Sequence, residues 1–213
     1  EVNMSQVFNF LFRQYSNYNS VDITMEIIAV ILGLVSVVYA KKNSVLLYPT
    51  GMVSTGIFVY LLIKWYLLGD MLINAYYFIM SGYGWYYWSQ KKDSIYINQV
   101  DYTKVTERKI SGVLFFMSLV FVFAVYKVFD RWNDWTAYVD TFTTAIFFVG
   151  MWLMARRKIE SWIFWIIGDL ISIPLYFYKG LTVTSIQYLI FTIIAIFGYR
   201  TWKKILNRSL QIS

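Results

Sequence analysis

The chain contains no cysteine and no histidine in 213 residues. The first absence removes thiol nucleophiles and disulfides, the second removes imidazole proton relays, and together they remove Cys/His metal sites. Neither a GxSxG elbow nor a P-loop occurs, and no carboxylates are spaced to hold a metal. No catalytic residue, metal or cofactor is therefore expected. Proline is nearly missing too, at Pro49 and Pro174 only. Charge is the last scarcity: charged residues make up 15% of the chain, where a soluble domain carries about one quarter.

What fills the chain instead is apolar, with 59% hydrophobic and 21% aromatic residues. The charges fall into short clusters at Lys41-Lys42, Lys91-Lys92-Asp93, Glu107-Arg108-Lys109, Arg156-Arg157-Lys158 and Lys203-Lys204. Between them lie apolar stretches of about the length that crosses a hydrocarbon core of about 30 Å. This predicts an all-α membrane protein with seven transmembrane helices at 23–40, 45–67, 71–89, 110–129, 137–155, 161–178 and 181–202. The third and fifth are the most polar, carrying Asn74, Ser81 and three threonines. Polar side chains at membrane depth usually face a bundle interior.

The net charge of +7 does not point to nucleic acid, because the basic residues adjoin apolar segments. They read as topology signals and anionic-lipid anchors. Segments after helices one, three, five and seven carry fourteen of the 19 Lys and Arg, and the opposite side has Arg13, Lys64, Lys127, Arg131 and Lys179. By the positive-inside rule the amino terminus is outside and the carboxyl terminus cytoplasmic. The loop from Asp130 to Trp135 then lies outside. Residues 1–22 lack the basic start and apolar run of a secretory signal. Met4 to Tyr15 instead reads as an interfacial amphipathic helix, with Val7, Phe8, Leu11 and Phe12 on one face.

An internal repeat organises the spans. Gly33 to Ser44 overlays Gly150 to Ser161 at an offset of 117, which also sets Gly51 on Gly168. A shift to 114 lays Gly84-Trp-Tyr-Tyr-Trp88 on Gly198-Tyr-Arg-Thr-Trp202. Helices one to three thus correspond to five to seven. Three helices reverse direction an odd number of times, so a second copy in the same orientation needs one linking helix. The result is two parallel three-helix repeats plus a linker (3+1+3), the arrangement of SWEET-type transporters. The expected divisions are an amphipathic segment at 1–22, the first repeat at 23–90, a linker with the fourth helix at 91–136, the second repeat at 137–204 and a cytoplasmic tail at 205–213.

Candidate substrate-binding residues concentrate on helix six. Trp162, Trp165, Asp169, Ser172 and Tyr176 are spaced three or four apart and share a face. An ionised carboxylate at the middle of a span marks a functional site unless it is paired. Pro174 follows one turn later, and Pro49 stands in helix two; each removes a backbone donor and suggests a kink in the middle helix of its repeat. Helix seven offers Thr184, Gln187, Tyr188, Phe191 and Thr192, and helix three offers Asn74, Tyr77, Ser81 and Trp85. Asn and Gln both donate and accept, as recognition of an amide or of sugar hydroxyls requires. The same residues also serve as ordinary interhelical glue. A passive uniporter for a small polar solute fits the residues best. A sugar or thiamine-like uniporter and a non-transporting membrane scaffold remain the alternatives.

The segment Asn74…Tyr83-Gly84-Trp85-Tyr86-x-Trp88, followed by Glu160-x-Trp162-x-x-Trp165-x-x-x-Asp169…Pro174-Leu-Tyr-x-Tyr-Lys179-Gly180-Leu, resembles the bacterial nicotinamide riboside transporter family, PnuC. The similarity runs from about Ile23 to Lys204. It implies vitamin B3 uptake for NAD synthesis across the inner membrane, by facilitated diffusion, with a cytoplasmic kinase trapping the substrate. It also implies a homotrimer, and it carries Trp165, Asp169, Asn74 and Gln187 as site residues. The implied cargo has a pyridinium cation that Trp and Tyr faces attract. A phosphorylated cargo would call for Arg or Lys at the midplane. The spans place none there.

Overall fold

The computed structural model describes residues 19–64, 68–92, 95–130, 134–179 and 182–212. The predicted helix at 4–15 and residues 131–133 of the predicted outer loop lie outside these segments. Seven long helices are described: α1 (Ser20–Lys41), α2 (Leu47–Lys64), α3 (Leu68–Ser89), α4 (Val105–Val128), α5 (Thr136–Ala155), α6 (Ser161–Tyr178) and α7 (Thr182–Ile212). A two-stranded hairpin, β1 (Lys91–Lys92) and β2 (Ile95–Tyr96), follows α3. Each helix begins where a charge cluster or turn ends. Asn19 caps α1 by accepting from the Val21 backbone N–H at 3.3 Å. Glu107 accepts from the Lys104 N–H at 2.9 Å at the start of α4, satisfying a donor that the helix leaves unpaired.

Five of the seven helices, α1, α2, α4, α5 and α6, are long and apolar enough to cross a membrane. The chain is a multi-pass membrane protein. The two that fall short are α3, which holds Asp70, Asn74 and Ser81, and α7, whose last turns run through Lys203, Lys204 and Arg208. The fifth helix, with the third the most polar of the predicted spans, qualifies and is the most buried of the five. Its threonines are covered by protein: Thr141, Thr143 and Thr144 are all buried.

Six helices close a ring in the order α1, α2, α3, α5, α6, α7, with α7 returning to α1, while α4 lies outside the ring against α5. The ends of α1, α3, α5 and α7 gather on one side, the basic end. There the Trp202 indole donates to the Ala40 carbonyl at 2.9 Å and the Trp88 indole to the Met154 carbonyl at 3.3 Å. At the opposite end Lys64 pairs with Asp22 at 2.7 Å, and Lys179 pairs with Asp140.

The turn between α1 and α2 recurs between α5 and α6. In the first, Lys42, Asn43 and Ser44 donate to Val38, Ala40 and Tyr39; in the second, Arg156, Arg157 and Lys158 donate to Trp152, Met154 and Leu153. Asn43 and Arg157 both sit in the left-handed region, at φ 55° and φ 60°. These equivalences run at a displacement of 114, the one relating Trp88 to Trp202, and not at the 117 that matching glycines suggests. The glycines mislead for a physical reason. A close helix crossing needs one small residue, and either helix can supply it. Gly33 of α1 faces Ser54 of α2, whereas at the equivalent crossing Gly168 of α6 faces Phe147 of α5. The two prolines are not equivalent either. Pro174 lies inside α6, but Pro49 is the third residue of α2, where a missing N–H has no intrahelical partner to lose. No kink follows from Pro49.

Candidate functional site

A cavity of about 270 Å³ lies inside the ring and is lined from all six of its helices. Its two sides differ. The α1–α2 side is built of small residues, with Ala29, Gly33 and Ser36 on one helix and Gly51, Ser54 and Thr55 on the other. The α5–α6 side presents Met151, Met154, Trp162 and Trp165. At the displacement of 114 the bulky Trp165 answers Gly51, so space on one side meets an aromatic wall on the other.

Six of the nine sequence candidates line the cavity: Asn74, Tyr77, Trp162, Trp165, Asp169 and Gln187. Asp169 is 2% exposed and makes no hydrogen bond or ion pair with any other described residue. Trp162 is 1% exposed, and its indole N–H has no partner among the described residues. Asn74 donates its amide nitrogen to the Asp70 carbonyl at 3.0 Å, and its side-chain oxygen is not used in that bond. No Lys or Arg is among the described lining residues.

The other three candidates stand behind this wall. Tyr188 lies against Phe147, ring centres 6.0 Å apart, and Phe147 stacks in turn on Trp165 at 5.4 Å. Tyr77 covers the same indole from α3 at 6.4 Å. Thr192 is buried and donates to the Tyr188 carbonyl at 2.9 Å. Ser172 is fully buried, its hydroxyl without a partner among the described residues, and it lies outside the cavity lining. Trp85, grouped with Asn74 by spacing, lines a groove on the outer surface instead.

The small-residue side was missed by sequence reasoning, which sought polar and aromatic groups. Its signal is present as Ala29, Gly33, Ser36 and Gly51, Ser54, Thr55, a run of small residues at helical spacing. Their hydroxyls are largely spent on backbone: Ser36 donates to the Leu47 carbonyl at 2.7 Å, Ser54 to Ala29 at 2.7 Å and Thr55 to Gly51 at 2.9 Å. They give room more than they give recognition.

A membrane-embedded helical ring around a largely apolar, aromatic-walled cavity, lined by a buried carboxylate that is unpaired among the described residues, has the build of a solute carrier. The family model described as nicotinamide mononucleotide transporter matches residues 23–204. The chain belongs to that family. It is 24% identical over 201 residues to the nicotinamide riboside transporter PnuC of Escherichia coli, covering 84% of each chain. The riboflavin/roseoflavin transporter RibM of Streptomyces davaonensis is 25% identical over 174 residues, with 81% of each chain covered. In fold, the chain matches the crystal structure of the vitamin B3 transporter PnuC with a TM-score of 0.66 and 19% identity, over 96% of this chain and 91% of that one.

Proposed function

We propose that this chain carries nicotinamide riboside across the bilayer by facilitated diffusion. One observation carries the reading: among the described residues, the carboxylate of Asp169 is buried without a hydrogen-bond or ion-pair partner in a cavity whose lining holds no Lys or Arg. A carboxylate in such a place is costly until something positive joins it. The pyridinium ring of the riboside is a fixed cation that supplies the missing partner. Trp165 and Tyr77 offer it ring faces, each worth about 0.5–2 kcal/mol depending on desolvation. Asn74 and Gln187 suit the carboxamide and the ribose hydroxyls, which both donate and accept. Ser172, Tyr188 and Thr192 hold that wall from behind.

The relatives' names leave two competing cargoes. A mononucleotide brings a phosphate, for which an Arg fork or a Lys is the usual partner, and the described lining residues include neither. A flavin brings a three-ring system, while the cavity of about 270 Å³ lies at or below the small end of ligand sites, about 300–1,000 Å³. Both considerations favour the nucleoside.

For the mechanism we infer two parallel three-helix units, α1–α3 and α5–α7, linked by α4. The recurring turn, the paired Trp88 and Trp202 bonds and the ring order support this 3+1+3 reading. Units of this kind alternate access by rocking about a central site. The basic end then faces the cytoplasm of a bacterial inner membrane. Among the described residues Asp169 is the one acidic residue lining the cavity, which gives a coupling ion no carboxylate relay among them. Uptake of radiolabelled nicotinamide riboside into proteoliposomes tests the proposal. Saturable uptake without an ion gradient is expected. Equal transport of the mononucleotide or of riboflavin sinks it.

A further inference from the structure

Below the cavity, toward the basic end, the bundle is shut in two layers. The first is aromatic: Tyr48, Trp88, Trp162 and Trp202 are all at most 1% exposed. Their rings meet edge-on or tilted at centre distances of 5.2 Å (Tyr48–Trp88), 5.7 Å (Trp88–Trp202) and 5.5 Å (Trp162–Trp202). The indoles of Trp88 and Trp202 each donate to the next helix of the ring, α3 to α5 and α7 to α1. The second layer is ionic and covers the first.

At the centre of that second layer is Arg157, 6% exposed. Its Nε donates to the Asn43 side-chain oxygen at 2.9 Å, one terminal nitrogen to the Asn43 carbonyl at 3.4 Å, and the other to the Asn98 carbonyl. The guanidinium lies 4.3 Å from the centre of the Trp88 ring. One side chain thus joins the α5–α6 turn, the α1–α2 turn, the α3–α4 connection and the aromatic layer. Its neighbours fasten the α5–α6 turn to the α3–α4 connection and the start of α4. Lys158 pairs with Glu107 at 3.1 Å and with Asp101 at 3.4 Å, Glu160 accepts from the Thr103 N–H at 2.9 Å, and Arg156 reaches Glu107 at 3.3 Å.

Asn43 and Arg157 occupy equivalent positions in the recurring turn, and both hold a left-handed backbone. A non-glycine residue there is uncommon, and for a long side chain it persists where surroundings over-determine it. Two arginines meeting at this place would repel. An arginine facing an asparagine makes a donor and an acceptor from one repeated position.

We propose that Arg157 is the bolt of a gate at the basic end: it ties the two recurring turns and the α3–α4 connection over the aromatic layer, and it releases before the cavity opens to that side. This rests on the two-unit alternating reading above. The bonds to Asn43 and Asn98 go to neutral acceptors and the Trp88 contact to a ring face, so this part of the bolt is polar and directional. Such a contact can be strong when closed and still break on the time scale of transport.

The absence of cysteine makes the test direct. Ser36, on the cavity wall one turn above Ala40, is replaced by cysteine in the otherwise unchanged full-length protein in proteoliposomes. Labelling by a small charged methanethiosulfonate reagent is then timed from each side, with and without nicotinamide riboside. Arg157→Ala is expected to speed labelling from the basic side roughly tenfold, the scale of a lost hydrogen bond to a charged group. Asn43→Asp, which keeps a residue tolerant of the left-handed turn and adds charge to the acceptor, is expected to slow it. Should Arg157→Ala not fold, the second variant alone decides. Unchanged basic-side labelling in the folded variants, with side-dependent and cargo-sensitive labelling in the parent, overturns the gate and leaves alternating access standing. Equal labelling from both sides in the parent, indifferent to cargo, removes the two-unit reading and the gate with it.

Discussion

The Asp169 carboxylate, 2% exposed and unpaired among the described residues, opposes folding and favours binding with the same atoms. Replacing it by asparagine keeps the shape and removes the buried charge. Asp169→Asn is therefore expected to leave Tm unchanged or higher in a detergent melt, while uptake of the cationic riboside falls at least about tenfold, the scale of a lost charge-assisted contact. A fall in both Tm and uptake would instead mean that the carboxylate holds the helices together. Trp165 acts through its face. Trp165→Ala is expected to weaken equilibrium binding by about 1–2 kcal/mol and Trp165→Phe by less, since a smaller ring keeps part of the cation–π attraction; titration calorimetry separates the two. Most of this site was legible from spacing, because Trp162, Trp165 and Asp169 fall on one stripe of a single helix. Ser172 shares the three-and-four spacing and lies only about 20° round from Trp165 at 100° per residue, yet it ends fully buried outside the cavity lining. The depth of packing against neighbouring helices is not written in one helix's spacing. Thr192 fails for a different reason, its hydroxyl being spent on its own helix at Tyr188.

Pairs of helices show where pattern reading stops. Charge clusters place the ends of α1, α5 and α6 within a few residues of those predicted, since a charge at a span's edge is an energetic boundary. Register between elements is set by contact, which no single helix records. Gly168 is the case in point: a Cβ there would overlap the Phe147 ring, and that ring backs Trp165. Gly168→Ala is expected to cost about 1–3 kcal/mol by overpacking, read as a lower Tm, and adding Phe147→Ala should recover part of it. Gly33→Ala meets only the Ser54 hydroxyl, at 3.2 Å, and is expected to cost less. Equal losses at both crossings would contradict the account of why the glycines change sides.

Across the whole bundle, the ionic contacts divide the labour between the two ends. At the basic end Arg157 joins segments of both proposed units. At the other end each pair stays within one: Asp22–Lys64 ties α1 to α2, and Asp140–Lys179 ties α5 to α6. Pairs that stay within a unit stiffen it without resisting the rocking of one unit against the other. They are not equal in strength. Lys64 is 44% exposed and Asp22 has the first-turn N–H groups of α1 to help it, so water and the helix dipole share the load. Lys179 is 25% exposed and Asp140 13%, and removal of one partner from a largely buried pair leaves a charge with little to replace it, at about 3–5 kcal/mol. Lys179→Gln should therefore lower Tm clearly more than Lys64→Gln. Exchanging the charges, Asp140→Lys with Lys179→Asp, should return most of that loss and restore uptake together. If the exchange restored stability but not uptake, the pair would have a directional part in transport, and the α5–α6 clamp would belong to the moving machinery.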